Sequence, residues 1–196
     1  LFSALQVLGP VGYYSGGPEV GIRAALEGLS DDVKKMVKEL EEKRKAVNKR
    51  LLARLYKQGL RRSGRIQWFN AGRAYKGMGS KVIGTFCSYL SHVRKLARPD
   101  MFVVGLMEME TAIPGLGELK GRFYKVSVRA PRALRTDIDA GRVPSAVQLL
   151  KEATEGFGIA VDGHAYAASC VIPADKVEEF IRKASEVSTK GTSGTS

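Results

Sequence analysis

The sequence has 196 residues and a net charge of +12; 44% of the residues are hydrophobic and 27% are charged, which excludes disorder along the whole chain. Its two cysteines are too few for a disulfide framework or a cysteine-based zinc site. No apolar run approaches the roughly 20 residues that span a bilayer, and the start of the chain lacks the features of a signal peptide, so we expect a cytoplasmic protein that makes no membrane contact.

The first 29 residues form a partial N-terminal segment. They predict a short apolar strand, a glycine-rich turn over Gly12–Gly17 and then a short helix. This segment is too small to fold by itself. Because the chain begins with Leu rather than Met, we expect a fragment or a processed product.

A long amphipathic helix is predicted over residues 30–60. Ser30 is suited to be its N-cap, Asp31 and Asp32 complement the positive end of the helix dipole, and the helix is expected to end near Gly59. Apolar residues recur at helical spacing over about 27 residues. The pattern leaves two interpretations open, a connector between domains and a core helix with a charged outer face.

Half of the basic residues lie in one segment that contains no Asp or Glu. Residues 43–99 hold 16 of the 32 Lys and Arg residues, while the rest of the chain carries 16 basic and 20 acidic residues. Positive side chains that are crowded together repel one another unless a polyanion screens them. The distribution favours nucleic acid as the partner, because phosphates neutralised by Lys and Arg release counterions. The alternative is a basic surface that serves only solubility.

Residues 62–188 predict a single compact α/β domain, because strands alternate with helices. Along residues 122–130 the polar Lys125, Ser127 and Arg129 alternate with apolar residues, as in a strand with two different faces. The final residues, 189–196, are predicted to be a disordered polar tail. The predicted strands are 66–74, 101–107, 122–130 and 165–172, and the predicted helices are 77–96, 143–155 and 174–187.

A glycine-rich stretch over residues 155–172 contains the first candidate binding residues. Gly163 and His164 stand at a turn, and Ala167 and Ala168 follow. Small residues let backbone N–H groups approach an anion or a base closely. A single His near a turn is equally compatible with a purely structural role.

A second glycine-rich loop precedes the predicted helix near Lys81. Gly77 and Gly79 lie in this loop, and the N-terminus of a helix can bind an anion. The loop lacks the residue order of a Walker motif and the third glycine of a Rossmann motif, so it is a poor nucleotide site.

Aromatic and basic residues are interleaved in the first predicted strand. Trp68 lies between Arg65 and Arg73 in the sequence, and such interleaving is expected of a surface on which single-stranded bases stack. Aromatic residues on a strand are also typical of a hydrophobic core, and this alternative stays open.

Three motifs together resemble a known module. Residues 162–169 (DGHAYAAS), followed by an isoleucine, a proline and a Val-Glu-Glu-Phe helix, resemble the Gly-Gly-Gly-His-x-x-Ala-Ala-Gly signature of the DHH-associated C-terminal domain of DHH phosphoesterases, in particular RecJ-like proteins. Residues 126–129 (VSVR) resemble the Val-Ser-Leu-Arg strand of the same module. Residues 77–80 (GMGS) and 102–105 (FVVG) are similar to its early loop and strand.

The resemblance covers residues 62–185, and the helix at 30–57 has its counterpart between the two domains of the family. It implies a fold of the DHH-associated domain type, with residues 1–29 as the end of a DHH domain. It also implies that Arg129 and His164 contact nucleic-acid phosphate or base, and that the backbone of Gly163–Ala168 lines the site.

The sequence departs from the family pattern at several points. Asp162 replaces a glycine, so its negative charge is expected to weaken phosphate contact there, and Ser169 replaces the final glycine. The Asp-His-His motif is missing, since His92 and His164 are the only histidines and are not adjacent. We expect no catalytic metal site and no cofactor in this chain; Mn or Mg would require a DHH domain elsewhere.

Three functions remain open. The first is a non-catalytic module that binds single-stranded DNA or RNA; a resemblance to archaeal RecJ-like proteins implies its more specific form, a replisome component associated with GINS. The second is the substrate-binding half of a DHH-family single-strand exonuclease or phosphodiesterase. The third is a ribosomal or RNA-structural protein that uses the same charge without a pocket at His164. The predicted nucleic-acid-binding residues are Arg129, Ser127, Gly163, His164, Ala167, Ala168, Gly77, Gly79, Lys81, Arg65, Arg73 and Trp68.

Overall fold

A mixed six-stranded sheet organises the chain in a computed structural model, which describes residues 1–191. The strands are β1 (Arg61–Ser63), β2 (Ile66–Asn70), β3 (Phe102–Glu108), β4 (Ala112–Ile113), β5 (Gly117–Glu118), β6 (Phe123–Arg129), β7 (Ile159–Gly163) and β8 (Ala167–Pro173). The sheet order is β1-β2-β3-β6-β8-β7, and β4 pairs with β5 in a separate hairpin. Only β2 and β3 are parallel among these pairs, and all the other neighbouring strands in the described chain are antiparallel.

Helices cover both sides of this sheet. They are α1 (Phe2–Leu8), α2 (Gly17–Glu27), α3 (Asp31–Gln58), α4 (Lys81–Leu90), α5 (Arg132–Asp139), α6 (Ala146–Ala153) and α7 (Val177–Val187). The predicted α/β class is therefore confirmed, and so is the long early helix. Among the described residues, no helix is long and apolar enough to cross a membrane.

The long helix α3 begins and ends where the sequence predicts. Ser30 Oγ accepts a hydrogen bond from the Val33 N–H at 3.4 Å, and Gly59 follows the last turn with a φ of +73°, which favours glycine. The apolar stripe of α3 is buried at Leu40, Val47, Leu51 and Leu55. This helix therefore contributes directly to the core, while the domain boundaries around it stay a prediction.

Alternation along the strands divides the core into two parts. We call the side of the sheet that bears Val103 and Met107 face A; α1, α3 and α4 pack over it. The opposite side, face B, bears Val104, Val126 and Cys170 and is covered by α5, α6 and α7. Each fully buried apolar side chain contributes about 1.5–3 kcal/mol relative to exposure, so the two parts together hold the three layers in place.

Helix α4 packs on β3 and β6, and the outer part of face A is more open. Ala167, Ser169 and Val171 of β8 are only half-buried there, and Ile159 of β7 is 48% exposed. A shallow surface beside α4 is thus left accessible to a ligand.

The predicted strand at the N-terminus is wrong, because residues 2–8 form α1. Ala4, Val7 and Leu8 are buried, and this spacing of three and four residues is helical. A short apolar run does not distinguish the two periods well, and packing against α2 and α3 decides the outcome here. The Gly79 N–H donates to the Pro10 carbonyl oxygen at 2.8 Å and so joins this N-terminal segment to the loop before α4.

Other boundaries also differ from the predictions. Helix α5 was not predicted, although Leu134 and Ile138 have helical spacing, and β7 was predicted as part of a turn. The predicted helix at 143–155 begins later, because Ser145 caps it by accepting from the Gln148 N–H. Of the predicted disordered tail, residues 192–196 lie outside the described residues.

We expect Gly105→Ala to destabilise the fold by about 1–3 kcal/mol, because an added Cβ would meet Cys87 Sγ of α4 and would lie 2.9 Å from Phe69 Cζ. Gly9→Ala is the matched control, since Gly9 has a helical φ of −63° and its nearest contact would be 3.4 Å away. Urea denaturation of both variants tests this expectation. Equal stability of the two variants would contradict the close contact between α4 and β3.

Candidate nucleic-acid interface

Arg129 is half-buried between the end of β6 and α4. Its Nε donates to Ser88 Oγ at 2.9 Å, and its Nη1 donates to Ser127 Oγ and to the Val128 carbonyl oxygen, both also at 2.9 Å. Within residues 1–191 no carboxylate pairs with Arg129, so a surface ion pair with an acid on a neighbouring element does not explain its position. The guanidinium is therefore held in place with its charge uncompensated.

Burial is the main influence on this arginine and lowers its pKa, while the neighbouring Cys87 opposes that shift. Arginine nevertheless remains charged at neutral pH. A half-buried charge without a counter-ion lowers stability, and an anion that binds beside it removes part of that cost. The local electrostatics thus favour an anionic ligand.

Lys125 extends the positive surface along the same side of β6. Burial is the largest cause that lowers its pKa, and the positive charges of Lys81 and Arg129 lower it further, whereas Cys170 and Asp162 oppose the shift. The cations therefore belong to one electrostatic group. We call the surface formed by Lys81, Ser88, Lys125, Ser127 and Arg129 the Arg129 face.

Backbone N–H groups of the hairpin between β7 and β8 are already hydrogen-bonded to acceptors within the hairpin. The Gly163 N–H donates to Asp162 Oδ1, the His164 N–H to the Ala167 carbonyl oxygen, and the Tyr166 N–H to His164 Nδ1. These three amides are not free to cradle an anion. Gly163 itself has a steric role, because its φ is +148° and a Cβ would lie within about 2.6 Å of Ala168 atoms.

Ala167 and Ala168 of this hairpin adjoin Arg129, whereas the ring of His164 contacts Tyr166, which packs towards face B. His164 is exposed, and because its Nδ1 accepts a hydrogen bond, the neutral ring carries its proton on Nε2 and can donate to a ligand. Ala168 is buried, and its carbonyl oxygen lies 3.5 Å from Arg129 Nη1. Ala167 pairs with Arg129 across β6 and β8.

The loop before α4 is engaged in structural contacts. The Gly77 N–H donates to Glu110 Oε1 at 2.9 Å, so a carboxylate already occupies that donor. Gly79 is bound to Pro10 as described above, and an added Cβ there would lie 2.8 Å from the Pro10 carbonyl oxygen. Of the predicted residues in this region, Lys81 is the one that the structure associates with the Arg129 face.

The remaining predicted residues lie elsewhere. Arg65 Nη2 is 2.8 Å from Asp137 Oδ2, and Arg73 lies within 4.0 Å of both Glu108 and Glu110. Trp68 is half-buried on β2 and packs towards face B, opposite to Arg129. The structure therefore brings Ser127, Ala168 and Lys81 together with Arg129 but does not bring Arg65, Arg73 or Trp68 to the same surface.

The two cysteines have no visible reactive role. Cys87 and Cys170 are free and buried, and burial raises the pKa of each thiol to about 12. Among the described residues, no group of three His, Cys, Asp or Glu side chains is placed to hold a metal ion.

Solved structures share this fold, although no protein-family model and no curated protein matches the chain. RecJ from Thermus thermophilus in complex with Mn2+ superposes with a TM-score of 0.58 at 17% identity, over 93% of this chain and 23% of that one. The same protein in complex with Mg2+ gives 0.55 at 18% identity, over 88% and 23%. Exonuclease RecJ bound to manganese gives 0.54 at 19% identity, over 88% and 36%.

The fold is RecJ-like. The sequence identities are too low to carry more than the fold, and the chain spans only 23–36% of the length of these RecJ structures. The resemblance inferred from the sequence motifs is thus confirmed at the level of a RecJ-like fold. Its finer assignment to the DHH-associated C-terminal domain stays a prediction.

Two residues that position Arg129 in this RecJ-like fold were not predicted from the sequence. Gly84 and Ser88 lie four residues apart on α4 and face β6, where a Cβ on Gly84 would lie 2.6 Å from Arg129 Nη2. Two small residues spaced by four on a helix indicate a close approach to another element. The spacing of Gly84 and Ser88 can be read from the sequence, but the sequence does not show that this side of α4 faces β6.

We expect Lys125→Met to raise the melting temperature. The lowered pKa of Lys125 means that its charged form is disfavoured in the folded protein, so below the usual lysine pKa the substitution removes an unfavourable charge. Lys151→Met, at an exposed residue of α6, is the control and should leave the melting temperature nearly unchanged. Thermal unfolding at neutral pH tests the sign, and a lower melting temperature for Lys125→Met would contradict it.

Proposed function

We propose that this chain binds single-stranded nucleic acid on the Arg129 face, as a RecJ-like C-terminal domain without a metal-dependent nuclease centre of its own. The observation that carries the proposal is the fixed, half-buried guanidinium of Arg129, which has no carboxylate partner among residues 1–191. The RecJ-like fold supports it, because the matched solved structures include an exonuclease.

The chemistry of the Arg129 face suits a phosphate backbone. Arginine presents a planar set of donors that matches phosphate oxygens, and lysine adds a point charge. Arg129 and Lys125 are four residues apart on one strand, so their Cα atoms are separated by about 13 Å and they would contact different phosphates. The hydroxyl of Ser169, which pairs with Ser127 across β6 and β8, adds a neutral donor beside this surface, and the exposed His164 is a further proposed contact.

A second candidate function is the substrate-binding part of a DHH-family single-strand exonuclease or phosphodiesterase. The observation that favours it is the partial coverage of RecJ structures that contain Mg2+ or Mn2+. In that case the Arg129 face would hold the same strand, and another domain would supply the metal. Association with GINS is a further part of the proposal and rests on the sequence resemblance alone.

The decisive experiment is fluorescence anisotropy of a labelled single-stranded oligonucleotide over a salt series, with and without Mn2+. We expect the slope of log K against log salt to be near −4 if about six phosphates are neutralised, and Arg129→Gln to reduce its steepness by about 0.7. Arg23→Gln, at an exposed residue of α2, removes the same charge and should behave as the unaltered chain.

The length of the oligonucleotide after incubation separates the two candidates. Intact oligonucleotide with Mn2+ supports the non-catalytic module, and shortened oligonucleotide supports the nuclease. Equal effects of Arg129→Gln and Arg23→Gln would contradict the assignment of the site, and absence of binding at low salt would contradict nucleic-acid binding altogether. A pull-down with purified GINS tests that association separately.

Gly84→Ala tests whether the position of Arg129 matters as well as its charge. The added Cβ would displace the guanidinium, while the helix propensity of alanine is up to about 1 kcal/mol more favourable than that of glycine. We therefore expect weaker oligonucleotide binding with the melting temperature preserved or raised. Unchanged affinity would show that the hydrogen bonds to Ser88 and Ser127 do not set the binding geometry.

A further inference from the structure

A cavity lies where the N-terminal segment meets the loop before α4. Its volume is about 420 Å³, which is in the range of small-molecule sites. Its walls come from the turn after α1, the N-terminal end of α4 and strand β4. We call it the Tyr14 cavity and define it by six of its lining residues, Pro10, Tyr13, Tyr14, Lys81, Met109 and Ile113.

Backbone contacts hold the walls of the Tyr14 cavity in place. The Gly79 N–H donates to the Pro10 carbonyl oxygen at 2.8 Å, and an added Cβ at position 79 would lie 2.9 Å from Tyr13 Cβ. The Gly17 N–H donates to the Gly12 carbonyl oxygen at 2.9 Å, which closes the turn that carries both tyrosines. The cavity therefore has a defined shape before any ligand binds.

The lining suits a flat apolar group. The rings of Tyr13 and Tyr14 meet edge to face, with centroids 4.9 Å apart and planes at 84°. Aromatic rings favour such edge-to-face and offset contacts, so a ligand ring can pack against this pair. Met109 adds a thioether, which makes favourable contacts with aromatic rings, and Ile113 adds an apolar surface. An aromatic body is thus the group that this lining accommodates best.

One positive charge borders the cavity, and within the described chain no Asp or Glu lines it. Lys81 is exposed and has no carboxylate partner among residues 1–191. The acid nearest in effect is Glu110, whose carboxylate accepts from the Gly77 N–H at 2.9 Å and lies 4.0 Å from Arg73. Because Glu110 is engaged with these groups, Lys81 remains available to a ligand anion.

The two tyrosines add neutral donors. Neither Tyr13 nor Tyr14 has a hydrogen-bond partner for its hydroxyl in the part of the chain that the structure describes. Burial is the largest cause that raises the pKa of Tyr14, and Tyr13 and Glu110 raise it further, so this hydroxyl stays protonated at neutral pH. One lysine with neutral donors balances a single negative charge, which a carboxylate carries and a phosphate monoester exceeds.

We propose that the Tyr14 cavity binds a small aromatic carboxylate, with the ring against Tyr13, Tyr14 and Met109 and the carboxylate at Lys81. This inference does not depend on the proposed function, because neither the ligand nor the apolar part of the cavity belongs to the Arg129 face. Lys81 borders both surfaces. A bound carboxylate would therefore neutralise one cation of the Arg129 face and weaken oligonucleotide binding there.

Titration of the whole chain with naphthoate, followed by backbone-amide NMR, tests the proposal. We expect saturable shifts of the Gly79 and Lys81 signals and little change at Val128. Acetate has the charge without the ring, and naphthalenemethanol has the ring without the charge. Each should bind at least about tenfold more weakly than naphthoate, because each lacks one of the two interactions.

Two variants with matched controls locate the site. Ile113→Asp introduces a negative charge into the cavity and should weaken naphthoate binding by at least about tenfold. Leu116→Asp places the same charge on the same hairpin, at a residue that is 84% exposed and outside the lining, and should bind as the unaltered chain does. Lys81→Gln should weaken binding about tenfold, whereas Lys76→Gln, at an exposed residue outside the cavity, should not.

Thermal unfolding of each variant confirms that folded proteins are compared. Absence of saturable shifts at Gly79 up to the solubility limit of naphthoate would overturn the inference, and so would equal binding by Ile113→Asp and Leu116→Asp. If thymidine monophosphate moves the same signals and binds more tightly than naphthoate, the cavity serves nucleotides and the inference fails. Absence of oligonucleotide binding contradicts the proposed function only, because naphthoate binding is measured without nucleic acid.

Discussion

Close packing of α4 against the sheet is the contact on which the rest of the structure depends. Gly105 of β3 gives the space for Cys87, and Gly84 of α4 gives the space for the guanidinium of Arg129. A larger residue at position 105 would separate the helix from the strands, whereas one at position 84 would displace the guanidinium of Arg129. The same contact therefore closes the core on face A and brings Ser88 within 2.9 Å of Arg129 Nε. The contact of α4 with β3 and β6 therefore determines both the packing of the core on face A and the position of Arg129.

The distribution of acids decides which cations are free for a ligand. Arg65 and Arg73 belong to the acid-free segment of the sequence, yet Asp137, Glu108 and Glu110 from elsewhere in the chain lie against them. Arg129 lies outside that segment and has no carboxylate partner among the described residues. Exposed ion pairs contribute little stability, but they do reduce the field that a polyanion meets. Local charge counting therefore locates a basic region without locating its binding residues.

The sequence predicted elements best where local rules and tertiary packing agree. The long helix α3 has a capping serine, a helical apolar stripe and a terminating glycine, and strand β6 alternates cleanly, so both were predicted with nearly correct boundaries. Helix α1 is too short for its periodicity to be distinctive, and only its packing against α2 and α3 fixes it. The fold class followed from the order of elements.

The candidate site was predictable only in part, because residues that are distant in the sequence form it. Gly84 and Ser88 come from a helix about 40 residues before β6, and nothing local indicates that they meet that strand.

Asp162 stands where the motif has a glycine, and it changes both the free hydrogen-bond donors and the charge of the β7–β8 hairpin. Its Oδ1 accepts from the Gly163 N–H, so it occupies a donor that a glycine at position 162 would leave free. Its charge also raises the pKa of Lys125 and thereby opposes the mutual repulsion of the cations. The hairpin is stabilised in its own right, and the cations that remain unpaired lie on β6 and α4. The proposed contact with a phosphate therefore depends on arginine and lysine rather than on the backbone of the glycine-rich turn.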